Sequence, residues 1–369
     1  WLLPGDDLDL EARRRCTTVY LPTGTIPMFP EDLATGPMSL VQGQTCCSLS
    51  FGIVLSPSGD VEEYVIVPSL IRPTYRLTYE DVDEMLHLGI RAEPELHGLA
   101  HWAKVRSQWR STQGAISISM PESSIRVSEA DNRIDIDVLE DSPSRQMVAE
   151  MMILAGEVAA HYGETHNLAI PFRSQPQPEL PTEEELVQLP SGWVRDCAIR
   201  RCMTRSEMGV VPGRHATLGL DSYSQVTSPI RRYTDLLAHF QLKAHLRGDS
   251  PPFSSTELTE LTQGVSDGAY EATLVERQTK RYWALEFLRR NQDQVWDAII
   301  LRWLREDDGL GLILLEELGL QLPMRFNREV ALGERLQVRV SQADPRQDII
   351  RFAEVATEGE PTSSTAVQL

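Results

Sequence analysis

The chain has 369 residues, more than one compact core ordinarily holds, so two or more domains are expected. Apolar residues make up 41%, ordinary for a globular protein, and no apolar run approaches the roughly 20 residues of a membrane-crossing helix, so no membrane partner is expected. The net charge of −19 argues against nucleic acid as a partner if charge is averaged, but binding follows local potential, and basic groups recur at Arg13–Arg15, Arg200–Arg201, Arg231–Arg232, Lys280–Arg281 and Arg289–Arg290.

The opening phrase, WLLPGDDLDLEARRR, starts at Trp1 and reads as the interior of a fold, so a longer polypeptide is expected; it has no signal-peptide pattern. Asp6, Asp7 and Asp9 form a D-D-x-D string that could be read as metal donors or as carboxylates with a capping role at a helix N-terminus, and the second reading is preferred. Residues 1–140 read as mostly β with short helices. FGIVLSPSGDVEEYVIVPSLIR holds two strands around the turn Pro57-Ser58-Gly59-Asp60. SSIRVSEADNRIDIDVLE repeats the form around Asp131-Asn132, with Asp135 and Asp137 on the solvent face of a strand. From Ser142-Pro143, an N-cap and first helical position, Val148, Met151, Met152, Ala155, Val158, Ala159 and Tyr162 fall at helical spacing. A Pro- and Glu-rich loop follows.

A second long helix is predicted to start at Ser228-Pro229, burying Ile230, Leu236, Leu237 and Phe240, and a helical region to run from about Ser255 to Arg290. Residues 294–356 read as five short strands, the pattern of a small OB-type barrel, and the tail from Thr357 as disordered. The five cysteines (Cys16, Cys46, Cys47, Cys197, Cys202) show no zinc spacing and read as reduced thiols of a cytoplasmic protein.

The phrase HATLGLDSYSQVTSPIRRYTDLLAHFQL, residues 215–242, carries the most chemistry. If Ser228 caps a helix, its first turn bears Arg231 and Arg232, and cations there oppose the helix macrodipole. Two readings are open: an anion such as a phosphate sits between the arginines and the free backbone amides, or both arginines pair with nearby carboxylates.

TSPIRRYTDLLAH resembles the signature of the ribonuclease II/R (RNB-domain) family. CTTVYLPTGTIPMFPEDLATGPMSL, residues 16–40, resembles a second family motif, and LDLEA, RLTYEDV, GAISISMPE and NLAIPFR are shorter matches in the family's order. The resemblance implies an α+β fold: an RNB-type nuclease core around a channel, then a helical region and a small OB-like β-barrel. The implied domains are residues 1–248 (catalytic), 249–292 (helical), 293–356 (RNA-binding barrel) and 357–369 (tail).

It further implies a 3′→5′ exoribonuclease that degrades single-stranded RNA to nucleoside 5′-monophosphates by Mg2+-assisted hydrolysis. Arg231 then matches the catalytic arginine at the scissile phosphate, with Arg232 beside it. Tyr20 matches the aromatic that clamps a nucleotide in the channel, and Tyr79 a residue near the terminal ribose. Three departures bear on the substrate contacts. Ile118 stands where the family has a base-stacking Phe, Ala149-Glu150 replaces a Glu-Glu pair and leaves Glu150 as the sugar contact, and Gln225 and Ala216 replace a His and a Phe. The family's metal-binding aspartates are expected before Trp1, so no metal ligand is assigned in this chain, which by itself is expected to be inactive. The rival reading is a non-catalytic RNA-binding or complex-stabilising relative.

Overall fold

In a computed structural model, residues 2–89, 93–128, 130–139 and 141–355 are described. The chain folds into two compact units, each discontinuous in sequence. The first comprises Trp1–Ile118, Asp141–Leu180 and Cys202–Glu276, and the second Ser119–Glu140, Pro181–Arg201 and Arg277–Leu369. No helix among the described residues is long and apolar enough to cross a membrane.

In the first unit, the strands Cys46–Leu55 and Val61–Ile71 pair as the expected hairpin, with Gly59 turning the chain at a φ of +96°. Its Ile66 side packs on the helices Pro143–Thr165 and Tyr233–Arg247 through Leu154, Val158, Ala159, Ala238 and Leu242. Gly156 makes a close approach possible: a Cβ there would collide with the Tyr223 ring and the Ser224 carbonyl. Segment 222–226 therefore lies directly on the helix, and Ser224 N–H donates to the Gly156 carbonyl at 3.1 Å. A second core joins Ala12, Met28 and Phe29 to Tyr233, Leu236, Leu237 and Phe240.

Three expectations are corrected. Residues 1–140 are as helical as they are β, because Pro94–Thr112 is a 19-residue helix. Its Pro at the first turn and its near-absence of β-branched residues are helix signals. Val158, Ala159 and Tyr162 are buried as their spacing predicts, but Val148 is exposed, and Met147, Glu150 and Leu154 face inward in the first half of the helix. The third correction is that the signature helix begins at Tyr233 rather than Ser228, and Arg232 is its N-cap, with extended backbone. The cause is a β-bridge between Thr17 and Arg232, flanked by Thr18 N–H to the Arg231 carbonyl and Tyr233 N–H to the Cys16 carbonyl. That pairing holds residues 231–232 out of helical geometry.

In the second unit, all five predicted C-terminal strands form (Val295–Arg305, Leu310–Leu315, Leu320–Arg325, Arg335–Asp344, Ile349–Glu354), every pairing antiparallel. Leu310–Leu315 lies between Leu320–Arg325 and Val295–Arg305, which pairs onward to Arg335–Asp344 and Ile349–Glu354. The two outermost strands approach each other, giving an OB-like form. Its core includes Ala298, Ile300, Ile313, Leu315, Leu322 and Val338, with Leu285 and Leu288 from the helix Ser255–Arg290 and Ile125 and Ile134 from the second predicted hairpin. That helix has the predicted bounds. The tail from Thr357 lies outside the described residues.

Candidate active site

The β-bridge at Thr17 and Arg232 joins two motifs more than 200 residues apart. Thr17 Oγ1 donates to the Arg231 carbonyl at 2.9 Å, and Thr18 N–H donates to the same oxygen at 3.0 Å. The turn that bears the arginines is thus anchored by the strand segment that leads to Tyr20.

Arg231 and Arg232 then part company. Arg232 donates to Asp235 through Nε at 2.9 Å and Nη2 at 2.7 Å, and Asp235 is fully buried and also accepts Ser228 N–H at 2.8 Å. A buried carboxylate needs such partners, so Arg232 is committed to holding the turn. Arg231 makes no side-chain hydrogen bond or ion pair among the described residues, and it lines a cleft of about 840 Å³. Carboxylate pairing therefore describes Arg232, whereas Arg231 keeps its five donors for another group.

The cleft lies between the hairpin, residues 226–231 and the helix Tyr233–Arg247, with apolar walls at Leu49, Phe51 and Leu70. None of its lining residues is acidic, and Lys243 supplies a second cation. Burial, with Arg247 adding repulsion, pushes the Lys243 ammonium below the usual lysine range. His239 is held neutral: burial lowers its pKa, and Nε2–H donates to the Val226 carbonyl at 2.7 Å.

The other predicted residues lie away from this cleft's walls. Tyr20 is 44% exposed on the strand Val19–Leu21, its amide donating to Glu276 at 2.7 Å. Tyr79 opens the helix Tyr79–Leu88 with its ring under the Arg145 guanidinium, 4.2 Å from the centroid. Glu150 is buried in a two-point ion pair with Arg110, whose Nη1 also donates to the Leu218 carbonyl at 2.9 Å. Ile118 is half-buried in an irregular stretch and belongs to none of the hydrophobic clusters. Two positions before it, Ile116 N–H donates to the Thr217 carbonyl. The segments bearing Glu150 and Ile118 are in this way both fastened to the loop at His215–Leu220.

Gln225, a departure from the family pattern, has a local role, accepting from Arg173 Nη1 at 2.9 Å. Sequence reasoning missed Arg110, Arg145, Lys243 and Asp235. Only Asp235, a carboxylate three residues after Arg232, carried a local signal.

Asp6, Asp9, Asp135 and Asp137, singled out in the sequence, bond within the protein. Asp6 caps the helix Asp7–Arg15 through Asp9 N–H at 2.7 Å, as its position before a helix predicts, while Asp9 is buried, accepting from Gly5 N–H and the Tyr233 hydroxyl. Asp135 and Asp137 form surface pairs with Arg133 and Arg126. Among the described residues, no group of three or more His, Cys, Asp or Glu side chains is placed to hold a metal ion.

An α+β core built on the S-P-I-R-R-Y turn, with an OB-like barrel after it, defines an RNB-type protein. The RNB domain matches residues 1–248, and the chain belongs to the ribonuclease II/R, or RNB-domain, family. It is 63% identical over 354 residues to an uncharacterized ribonuclease of Synechocystis sp., covering 96% of this chain and 53% of that one. It is 42% identical over 362 residues to the chloroplastic/mitochondrial ribonuclease II of Arabidopsis thaliana, covering 96% and 45%. Mycoplasma genitalium RNase R in complex with ribose-methylated single-stranded RNA superposes with a TM-score of 0.82 at 19% identity, over 96% of this chain and 65% of that one, a likeness of fold alone. The chain spans about half the length of the curated relatives it matches.

Proposed function

We propose that this chain is the RNA-binding and electrostatic part of a 3′→5′ exoribonuclease, acting on single-stranded RNA and releasing nucleoside 5′-monophosphates. The observation that carries the proposal is the division of labour in the signature turn: Asp235 immobilises Arg232, while Arg231 faces the cleft with no side-chain partner among the described residues. A guanidinium so placed stabilises charge that builds on a phosphoryl oxygen during displacement, and burial of the turn fixes it in advance. The ribonuclease names of the relatives and the RNA bound to Mycoplasma RNase R support RNA as the substrate.

Mg2+ belongs to the proposal with its ligands outside the described residues, because the carboxylates near the signature turn already have partners. The test compares two polypeptides on 5′-labelled single-stranded RNA with Mg2+: the 369-residue chain, and the same chain within a polypeptide of its relatives' length. The longer one is expected to shorten RNA from the 3′ end and release mononucleotides, and the 369-residue chain to release none. Internal cleavage, or shortening from the 5′ end, would refute the direction. RNA binding without turnover by the longer polypeptide would favour the non-catalytic reading.

A further inference from the structure

Tyr79 is fixed from two sides by one turn of one helix. Its carbonyl accepts from Ser144 Oγ at 3.1 Å, and the Arg145 guanidinium lies over its ring at 4.2 Å. Ser144 and Arg145 belong to the first turn of the helix Pro143–Thr165, the helix that also carries Glu150. Ser142, its N-cap residue, makes no side-chain bond to the helix backbone. The cap comes instead from the Tyr79 helix: Asp83 Oδ1 accepts Ser144 N–H at 2.8 Å. Each helix therefore fixes the other at its first turn.

A cation in a helix's first turn is unfavourable against the macrodipole. Arg145 is also only loosely paired, its contact to Glu80 being 3.5 Å long. Its best-formed contact is the Tyr79 ring, and a guanidinium over a ring is attracted by the ring's quadrupole. That contact has a consequence for substrate. With one face covered by Arg145, Tyr79 cannot be sandwiched between two bases. The ring is still 38% exposed, and its hydroxyl makes no hydrogen bond to another described residue.

We infer that Arg145 is a positioning residue for Tyr79, covering one ring face so that the tyrosine meets the 3′-terminal nucleotide through its hydroxyl, at the sugar rather than the base. Asp83 supports this arrangement by capping the helix that carries Arg145. The inference rests on the reading of Tyr79 as a residue near the terminal ribose. It adds the group that holds Tyr79 in place.

The test needs binding, not turnover. Fluorescence anisotropy with the 369-residue chain would compare three short oligonucleotides: all-ribose, 2′-deoxy at the 3′ end, and ribose but abasic at the 3′ end. The wild-type chain is expected to prefer the ribose end over the deoxy end. Tyr79→Phe and Arg145→Gln should each lower that preference about two- to tenfold, the range of one net hydrogen bond. The double variant should lose no more than either single one, because both remove the same contact. Arg145→Lys keeps a cation over the ring and should restore part of the preference, and it decides the matter if Arg145→Gln melts at a lower temperature. The loss caused by Arg145→Gln should persist on the abasic oligonucleotide.

An unchanged preference in Arg145→Gln, beside a lost one in Tyr79→Phe, overturns the positioning role alone. An unchanged preference in Tyr79→Phe removes the ribose reading and the inference with it. Binding of none of the three oligonucleotides overturns both. A loss that vanishes on the abasic oligonucleotide would show that Tyr79 serves the base.

Discussion

In the C-terminal barrel Arg328 is clamped between Glu334 at 2.6 Å and Glu354 at 2.5 Å, which raise its pKa, and Arg335 pairs with Glu316 at 3.0 Å. In the signature turn Arg232 is treated the same way by Asp235, but its neighbour Arg231 is left facing a cleft with no acidic lining residue. Both regions belong to a chain of net charge −19, where a carboxylate partner is easy to find. A cation left without one on the wall of a cleft is available to an approaching anion. Paired surface arginines serve solubility and contribute little to stability, whereas an unpaired arginine held by a bonded turn is preorganised for an anion.

The sharpest way to break this contrast is substitution on both sides of it. In the longer polypeptide, Arg231→Ala should cut turnover roughly a hundred- to a thousandfold, about 3–4 kcal/mol, with a much smaller change in RNA affinity. Arg328→Ala should leave turnover unchanged and cost at most about 1 kcal/mol of stability. Steady-state kinetics and equilibrium binding on the two variants check this. Equal losses of turnover would erase the distinction, and a loss of affinity matching the loss of rate would make Arg231 a phosphate anchor only.

A second difference concerns titration. His215, in the loop whose Leu218 and Thr217 carbonyls accept from Arg110 and Ile116, is buried; that burial, with Arg173 nearby, lowers its pKa from 6.5 to about 4. The folded form holds it neutral, while the unfolded form takes up a proton below pH 6.5. Its contribution is thus intact above pH 6.5, falls as pH drops from 6.5 toward 4, and changes no further below. At about 1.4 kcal/mol per pKa unit the loss is a few kcal/mol at most. Urea midpoints at several pH values, compared between wild type and His215→Gln, isolate this term. Parallel pH profiles for the two proteins would mean that His215 titrates alike in both states.

The smallest expected effect concerns stacking. Ile118 is half-buried and outside the hydrophobic clusters, so Ile118→Phe is expected to present a π-face to solvent rather than to disturb a core. Affinity for short oligonucleotides should rise by about 1–3 kcal/mol, and long RNAs should respond less. Lower thermal stability without tighter binding would place Ile118 in the packing instead.

The regions also differ in how legible they were. The barrel's five strands, both hairpins and the helix from Pro143 follow from period-two alternation, turn residues and a Pro at the first turn, all set by neighbours along the chain. The helix Pro94–Thr112 was missed because its weakly sided pattern shows no apolar stripe. Arg110, Arg145 and Lys243 were missed because a lone basic residue in a sequence has no visible partner.

What the sequence determined by itself, then, was the inventory: the family motifs, the barrel's strands, and a pair of arginines in S-P-I-R-R-Y that could each face either way. Tertiary structure alone decided which arginine was which. The choice depends on a backbone bridge from Thr17 to Arg232 and a hydroxyl bond from Thr17 to the Arg231 carbonyl, across a separation of 214 residues. Those bonds withdraw residues 231 and 232 from the helix, bring Arg232 onto buried Asp235, and leave Arg231 at the cleft. The spacing of Arg232 and Asp235 permits their pair, but whether it forms, and which arginine is left at the cleft, depends on positions in space set by the bridge at Thr17.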